Sequence, residues 1–226
     1  MARAKATPKS ESNLTVSSLK PKTIAQKSMI ESWMQGNNLI AAGSSGTGKS
    51  FVAAWLALVA LLVDKTHSKI IYVRSAVPLR DQGFLTGNIQ EKSDPFFAPF
   101  KKMINNFCEN DTASEILEKK RIIEYLTTGY LRGETFDNAI IIIEEFQNMD
   151  FEELISIMTR VGENTRLILA GDTRQNDLFR SREKSCFEDI MKVARRMPDE
   201  IDVIHFYPAD IVRSGFVKKL IMVLEE

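Results

Sequence analysis

Eight residues, Gly43-Ser44-Ser45-Gly46-Thr47-Gly48-Lys49-Ser50, stand between a short apolar run, Asn38-Leu39-Ile40-Ala41-Ala42, and a longer one from Phe51 to Val63. The pattern Gly-x-x-x-x-Gly-Lys-Ser, with a strand before it and a helix after it, is a phosphate-binding loop. Its chemistry dictates the spacing. Glycines let the backbone wrap tightly enough for successive N–H groups to converge on an anion. The helix start adds its dipole, Lys49 reaches the β- and γ-phosphates, and the Ser50 hydroxyl is a ligand for Mg²⁺. The stretch from Gly43 to Ser50 is therefore expected to bind ATP. It also constrains the fold, because such a loop sits between a buried strand and a helix packed on the same sheet.

The rest of the chain continues that alternation. Thr23 to Gln35 reads as a helix closed by Gly36, and Ser50 to about Val63 as a second. Further strands are expected at Lys69–Val73, Ala139–Ile143, Arg166–Ala170 and Ile201–Phe206. Helical patterning spans Phe100 to Leu126 with a break near Asn110, then Asp150 to Val161, Ser185 to Met197, and Ser214 onward. Unbroken apolar strands separated by helices predict an α/β fold: a single RecA-like P-loop NTPase domain, its parallel sheet covered by helices on both faces. At 226 residues one domain is favoured over two. Residues 1–20 are polar, rich in Ser and Lys and free of aromatics, so they are expected to be a disordered tail before a domain spanning 21–226.

A phosphate loop needs an acidic element to position metal and water. Four isoleucines, Ile140 to Ile143, end on Glu144 and Glu145, at the carboxyl edge of a strand where open α/β sheets bind ligands. The first acid is expected to hold the metal and the second to act as general base toward the attacking water. Gly171-Asp172-Thr173-Arg174-Gln175 follows the next strand to the same edge, where Gln175 would sense the γ-phosphate or orient water.

Thirty Lys and Arg balance thirty Asp and Glu, so any nucleic-acid surface must be a local patch. Cys108 and Cys186 form no spaced pair and there are only two histidines, which argues against zinc. The longest apolar run falls short of the ~20 residues that span a bilayer, and no apolar leader follows Met1. Together with free thiols, this points to a cytoplasmic protein with no membrane contact.

Several segments resemble the PhoH-like ATPases, relatives of superfamily 1 helicases. They are Gly43 to Ser50, Val73-Arg-Ser-Ala76, Gly83-Phe-Leu-Thr-Gly-Asn-Ile-Gln-Glu-Lys-Ser-Asp-Pro95, Leu131-Arg-Gly-Glu-Thr-Phe-Asp-Asn-Ala139, Glu144-Glu-Phe-Gln-Asn148, Gly171 to Leu178 and Asp210-Ile-Val-Arg213. The resemblance implies an ATPase with a helicase-type core acting on single-stranded RNA or DNA. It also implies roles for three more residues: Gln26 as a reader of adenine, Gln147 as the glutamine that follows the acid pair, and Arg213 as an arginine that reaches the γ-phosphate. Glu144 departs from the family's usual Asp, and Phe146 from its usual small residue. The length leaves no room for the nuclease domain fused to some relatives.

Helicase relatives hold ATP between two domains and this chain has one. A homo-oligomer is therefore expected, a hexameric ring among its possible forms, with Arg213 serving a neighbour's ATP and Arg132, Arg174 and Arg180 as competing candidates. For nucleic-acid contact the sequence offers Arg74, Arg174, Arg180, Arg182, Lys184, Lys192, Arg195 and Arg196, with Phe84, Phe96 and Phe97 as stacking platforms. Two other functions fit a P-loop: an ATP-gated scaffold with slow hydrolysis, and a nucleotide or small-molecule kinase. The acid pair disfavours the kinase, since phosphoryl transfer to a substrate must exclude water rather than activate it.

Overall fold

The structure is a computed structural model that describes residues 14–75, 89–128, 135–172 and 186–225. Its centre is a six-stranded sheet built from β1 (Asn38–Gly43), β2 (Lys69–Arg74), β3 (Ile123–Thr127), β4 (Ala139–Glu144), β5 (Arg166–Gly171) and β6 (Ile201–Phe206). Every pairing is parallel and the order is β3-β2-β4-β5-β1-β6. Seven α-helices among the described residues accompany it: α1 (Ile24–Met34), α2 (Lys49–Leu58), α3 (Ile89–Phe107), α4 (Ala113–Lys119), α5 (Phe151–Met158), α6 (Phe187–Arg196) and α7 (Gly215–Glu225). None of the described helices is long and apolar enough to cross a membrane.

Strand side chains alternate between the two faces, and the isoleucines of β4 show the consequence. Ile140 and Ile142 enter the core under α1 to α4, while Ile141 and Ile143 enter the core under α5 and α6. All four are fully buried, each contributing about 1.5–3 kcal/mol of transfer free energy. A strand buried on both faces has no polar alternation to display, which is why this run of β-branched residues sits at the centre. Covered on both sides, the sheet leaves its carboxyl edge as the place where loops converge.

Local signals set the ends of the elements. Thr23 caps α1 by accepting from the Gln26 N–H at 3.2 Å, and Gly36 follows the helix at φ +99. Asp150 and Glu153 form a capping box on α5. That helix stops at Met158, short of the expected Val161, because Val161 bridges to Phe136 instead. The helix after the phosphate loop does reach Val63, its last turn (Val59–Val63) being π-helical.

Two expectations are corrected. The stretch read as helical to Leu126 turns after α4 through Arg121 at φ +55 and becomes the edge strand β3. Its five residues are too few to show a period, and pairing decides their state: Ile123 lies against Ile70 and Glu124 forms a 2.8 Å ion pair with Lys69. Residues 14–20 do not belong to a disordered tail. From Leu14 the chain forms a strap across α2 and α3, with Leu14, Val16 and Leu19 packed on the core. The Ser17 N–H donates to Phe107 O at 2.8 Å, and Trp55 Nε1 donates to Ser17 O at 3.0 Å. Three apolar side chains spaced through polar sequence supply burial that mean composition conceals. Residues 1–13 lie outside the described residues.

Candidate nucleotide site

The carboxyl ends of β4, β5 and β1 lie side by side, so the phosphate loop, the acid pair and Asp172 share one edge. They open on a cavity of about 600 Å³. Gly46 and Gly48 take φ +72 and +91, conformations that an L side chain resists. A Cβ at Gly46 would also come within 2.8 Å of Arg213 Cγ, and one at Gly48 within 2.7 Å of Gln26 Nε2. The loop is pinned from inside: Lys49 Nζ donates to Gly43 O at 2.8 Å and Ser44 O at 2.7 Å, and Thr47 Oγ1 donates to Ser44 O at 2.8 Å. Lys49 is buried and opens α2, so its ammonium and the helix dipole both act at the cavity floor. Ser45 lines the same wall.

Ser50 and Glu144 meet across this floor, the Ser50 hydroxyl donating to Glu144 Oε1. Glu144 Oε2 is buried and has no hydrogen-bond partner. Burial pushes the Glu144 carboxyl up to about 7. The Ser50 hydrogen bond opposes that shift, Glu145 adds to it, and Arg74 and Lys49 pull it back. An orphaned carboxylate oxygen beside a hydroxyl fits a small hard cation that keeps some of its own waters. Among the described residues no cluster of three or more His, Cys, Asp or Glu competes as a metal site.

Glu145, half-buried, takes φ +53, a strained position for a residue with a side chain. Gln147 Nε2 donates to Glu145 Oε2 at 2.5 Å, while Gln147 Oε1 accepts the Asp172 N–H at 3.0 Å. Buried Gln147 thus ties the second acid to the end of β5. The turn beneath it depends on Phe146, which is fully buried, stacks on Phe187 at 5.7 Å and lies under Gly171.

Gln26 is buried with its amide engaged at both ends, Nε2 donating to Thr47 O at 2.8 Å and Oε1 accepting from the Lys22 N–H at 2.8 Å. It braces the phosphate loop. Arg213 lies beside Gly46 of its own chain, next to Val212, whose N–H donates to Gly46 O at 3.1 Å. This position sets Arg213 beside the phosphate loop of its own chain.

Gln175, Arg132, Arg174, Arg180, Arg182, Lys184 and Phe84 lie outside the described residues. Phe97 is no stacking platform: it is buried against Tyr125, with ring centroids 5.2 Å apart. Arg74 is engaged with α3, its NH1 donating to Phe96 O at 2.9 Å. Lys192 pairs with Asp189 on the exposed side of α6.

The family model described as PhoH-like protein matches residues 18–225. This chain belongs to the PhoH-like family. It is 31% identical over 211 residues to a PhoH-like protein of Synechocystis, covering 92% of this chain and 62% of the relative. It is also 31% identical over 209 residues to a PhoH-like protein of Bacillus subtilis, covering 90% and 63%. The PhoH-like chain thus spans under two-thirds of the length of these relatives. In fold it resembles the HK97 bacteriophage large terminase (TM-score 0.53, 15% identity, 90% of this chain and 47% of that one). A large terminase from a thermophilic bacteriophage is similar at TM-score 0.52 and 11% identity, over 89% of this chain and 50% of that one. Both have the RecA-like P-loop architecture seen here.

The two departures of this PhoH-like chain from its family are both accommodated. Glu144 still reaches Ser50, and Phe146 fills the space beneath Gly171 and Phe187. Lys20, Lys22, Lys102, Asp172 and Phe51 also line the cavity. Asp172 had a legible signal in its place directly after β5. The others come from the strap, α2 and α3, and only packing brings them here.

Proposed function

We propose that this chain binds ATP with Mg²⁺ at Gly43–Ser50 and hydrolyses it, as an oligomeric helicase-like ATPase acting on single-stranded RNA or DNA. One observation carries the ATPase reading: Ser50 and Glu144 joined across the cavity floor, with an unpartnered carboxylate oxygen, Lys49 lining the same cavity, and a second acid one residue on. The loop N–H groups, the α2 dipole and Lys49 bind the phosphates. Ser50 and Glu144 would hold Mg²⁺, which when bound neutralises phosphate charge and polarises the γ-phosphoryl group. Glu145 takes the proton of the attacking water as the bond between the γ-phosphorus and the ADP oxygen breaks. Gln147 keeps that carboxylate in one orientation, and Arg213 balances charge from above Gly46.

The nucleic-acid part rests on the family resemblance. The oligomeric part is supported by α7, which lies outside both cores and exposes Phe216 (77%), Leu220 (46%) and Val223 (67%) along one side. Phosphate release measured alone and with poly-U, poly-dT or nucleoside monophosphates tests the reading. Stimulation by a polymer is expected. Slow release under every condition would favour the scaffold, and consumption of ATP with a monophosphate would favour a kinase. Lys49→Ala should lose most ATP affinity by calorimetry. Glu145→Gln should keep it and turn over at least ~10²-fold more slowly.

A further inference from the structure

The cavity extends beyond what the phosphates of a nucleotide need. Past Lys49 and Ser50 it is walled by three segments distant in sequence: Leu19 of the strap, Phe51 of α2, and Pro99 and Met103 of α3, with Lys102 and Asn106 beside them. Phe51 follows Ser50 directly, so its ring lies within one helical turn of the phosphate loop. One side of that ring is backed by Phe107, centroids 4.4 Å apart, yet the residue remains 42% exposed. A supported, half-exposed aromatic in an otherwise apolar wall fits the flat face of a nucleobase. Gln26 offers the opposite: it is 4% exposed, and each end of its amide already has a backbone partner, Nε2 on Thr47 O and Oε1 on the Lys22 N–H.

We propose that the base of the bound nucleotide lies in this compartment, stacked on Phe51, and that the chain holds it by its face and not by reading its edge through Gln26. This rests on the nucleotide reading of the site. Stacking is tolerant of base identity, because every base has a π-face. Strong discrimination needs buried polar groups that a wrong base would leave unpaired. Lys102 and Asn106 line the compartment but are exposed, so neither is a buried polar group of that kind. ATP and GTP are therefore expected to bind alike.

Calorimetry with inorganic tripolyphosphate, ATP and GTP, each with Mg²⁺, tests this on the full chain. The wild type should bind ATP and GTP with comparable affinity. Phe51→Ala should weaken both by on the order of tenfold, the scale of one lost stacking contact, and leave tripolyphosphate binding as it was. Phe51→Trp should restore nucleotide affinity, and unchanged tripolyphosphate binding certifies that both variants are folded. Wild-type ATP affinity in Phe51→Ala overturns the proposal, as does a strong preference for ATP over GTP that survives the substitution. If the wild type fails to bind tripolyphosphate, or Lys49→Ala binds it equally well, it is the phosphate reading beneath the proposal that has failed.

Discussion

Glu144 carries a conflict between stability and function in a single side chain. Its carboxyl is buried and raised from 4.5 to about 7, with one oxygen left unpartnered. A carboxyl whose folded value lies above its unfolded one favours the native state fully below pH 4.5, and that contribution is lost as pH rises through about 7. The loss is on the order of 3 kcal/mol. Glu144→Gln retains an acceptor for the Ser50 hydroxyl and removes the charge. Without Mg²⁺ or nucleotide, this variant should melt several degrees above wild type at about pH 8 and level with it at about pH 4. It should also lose metal-dependent phosphate release. Thermal denaturation at the two pH values decides the first point, and an equal melting temperature on the alkaline side would mean that the charge is not held at a cost. The acid pair was legible in the sequence because its position after four isoleucines is a local fact. The tie of Gln26 to Thr47, and of Val212 to Gly46 with Arg213 alongside, was not, since each joins residues far apart in the chain.

The junction of β4 and β5 shows how elements set the chemistry. After Glu144 the chain enters a tight turn, Phe146 to Asn148, and β5 ends directly above it at Gly171. A Cβ on Gly171 would come within 2.5 Å of Phe146 Cε1 and 2.7 Å of Gln147 Oε1. Gly171→Ala must therefore displace Gln147, and with it the grip on Glu145. We expect kcat to fall by up to ~10²-fold with KM for ATP little changed, since the phosphate loop is untouched. A parallel fall in ATP affinity would show that the disturbance reaches β1. Five of the six strands are visible in the sequence as apolar runs between turns. The edge strand β3 is not, because Ile123 to Thr127 carries the same residue types as the helices before it. Pairing with β2 determines its state.

For the whole molecule, α7 is the helix that contributes to neither core. Phe216, Leu220 and Val223 recur at helical spacing on a helix outside both cores, a face that another copy of the chain would bury. Light scattering should report an oligomer for the wild type and a smaller species for Phe216→Asp with Leu220→Asp, at unchanged circular dichroism. An unaltered mass would place the interface elsewhere. By itself the sequence determined the parallel α/β architecture, the phosphate loop and the acid pair. These follow from runs of apolar residues and from short motifs whose physics is complete within a few positions. The tertiary structure decided the rest: the strap over α2 and α3, the edge strand, the bracing of the loop by Gln26, the place of Arg213 beside its own loop, and the compartment beside Phe51. Each depends on contacts between distant segments, and such contacts leave no periodic or local trace in the sequence.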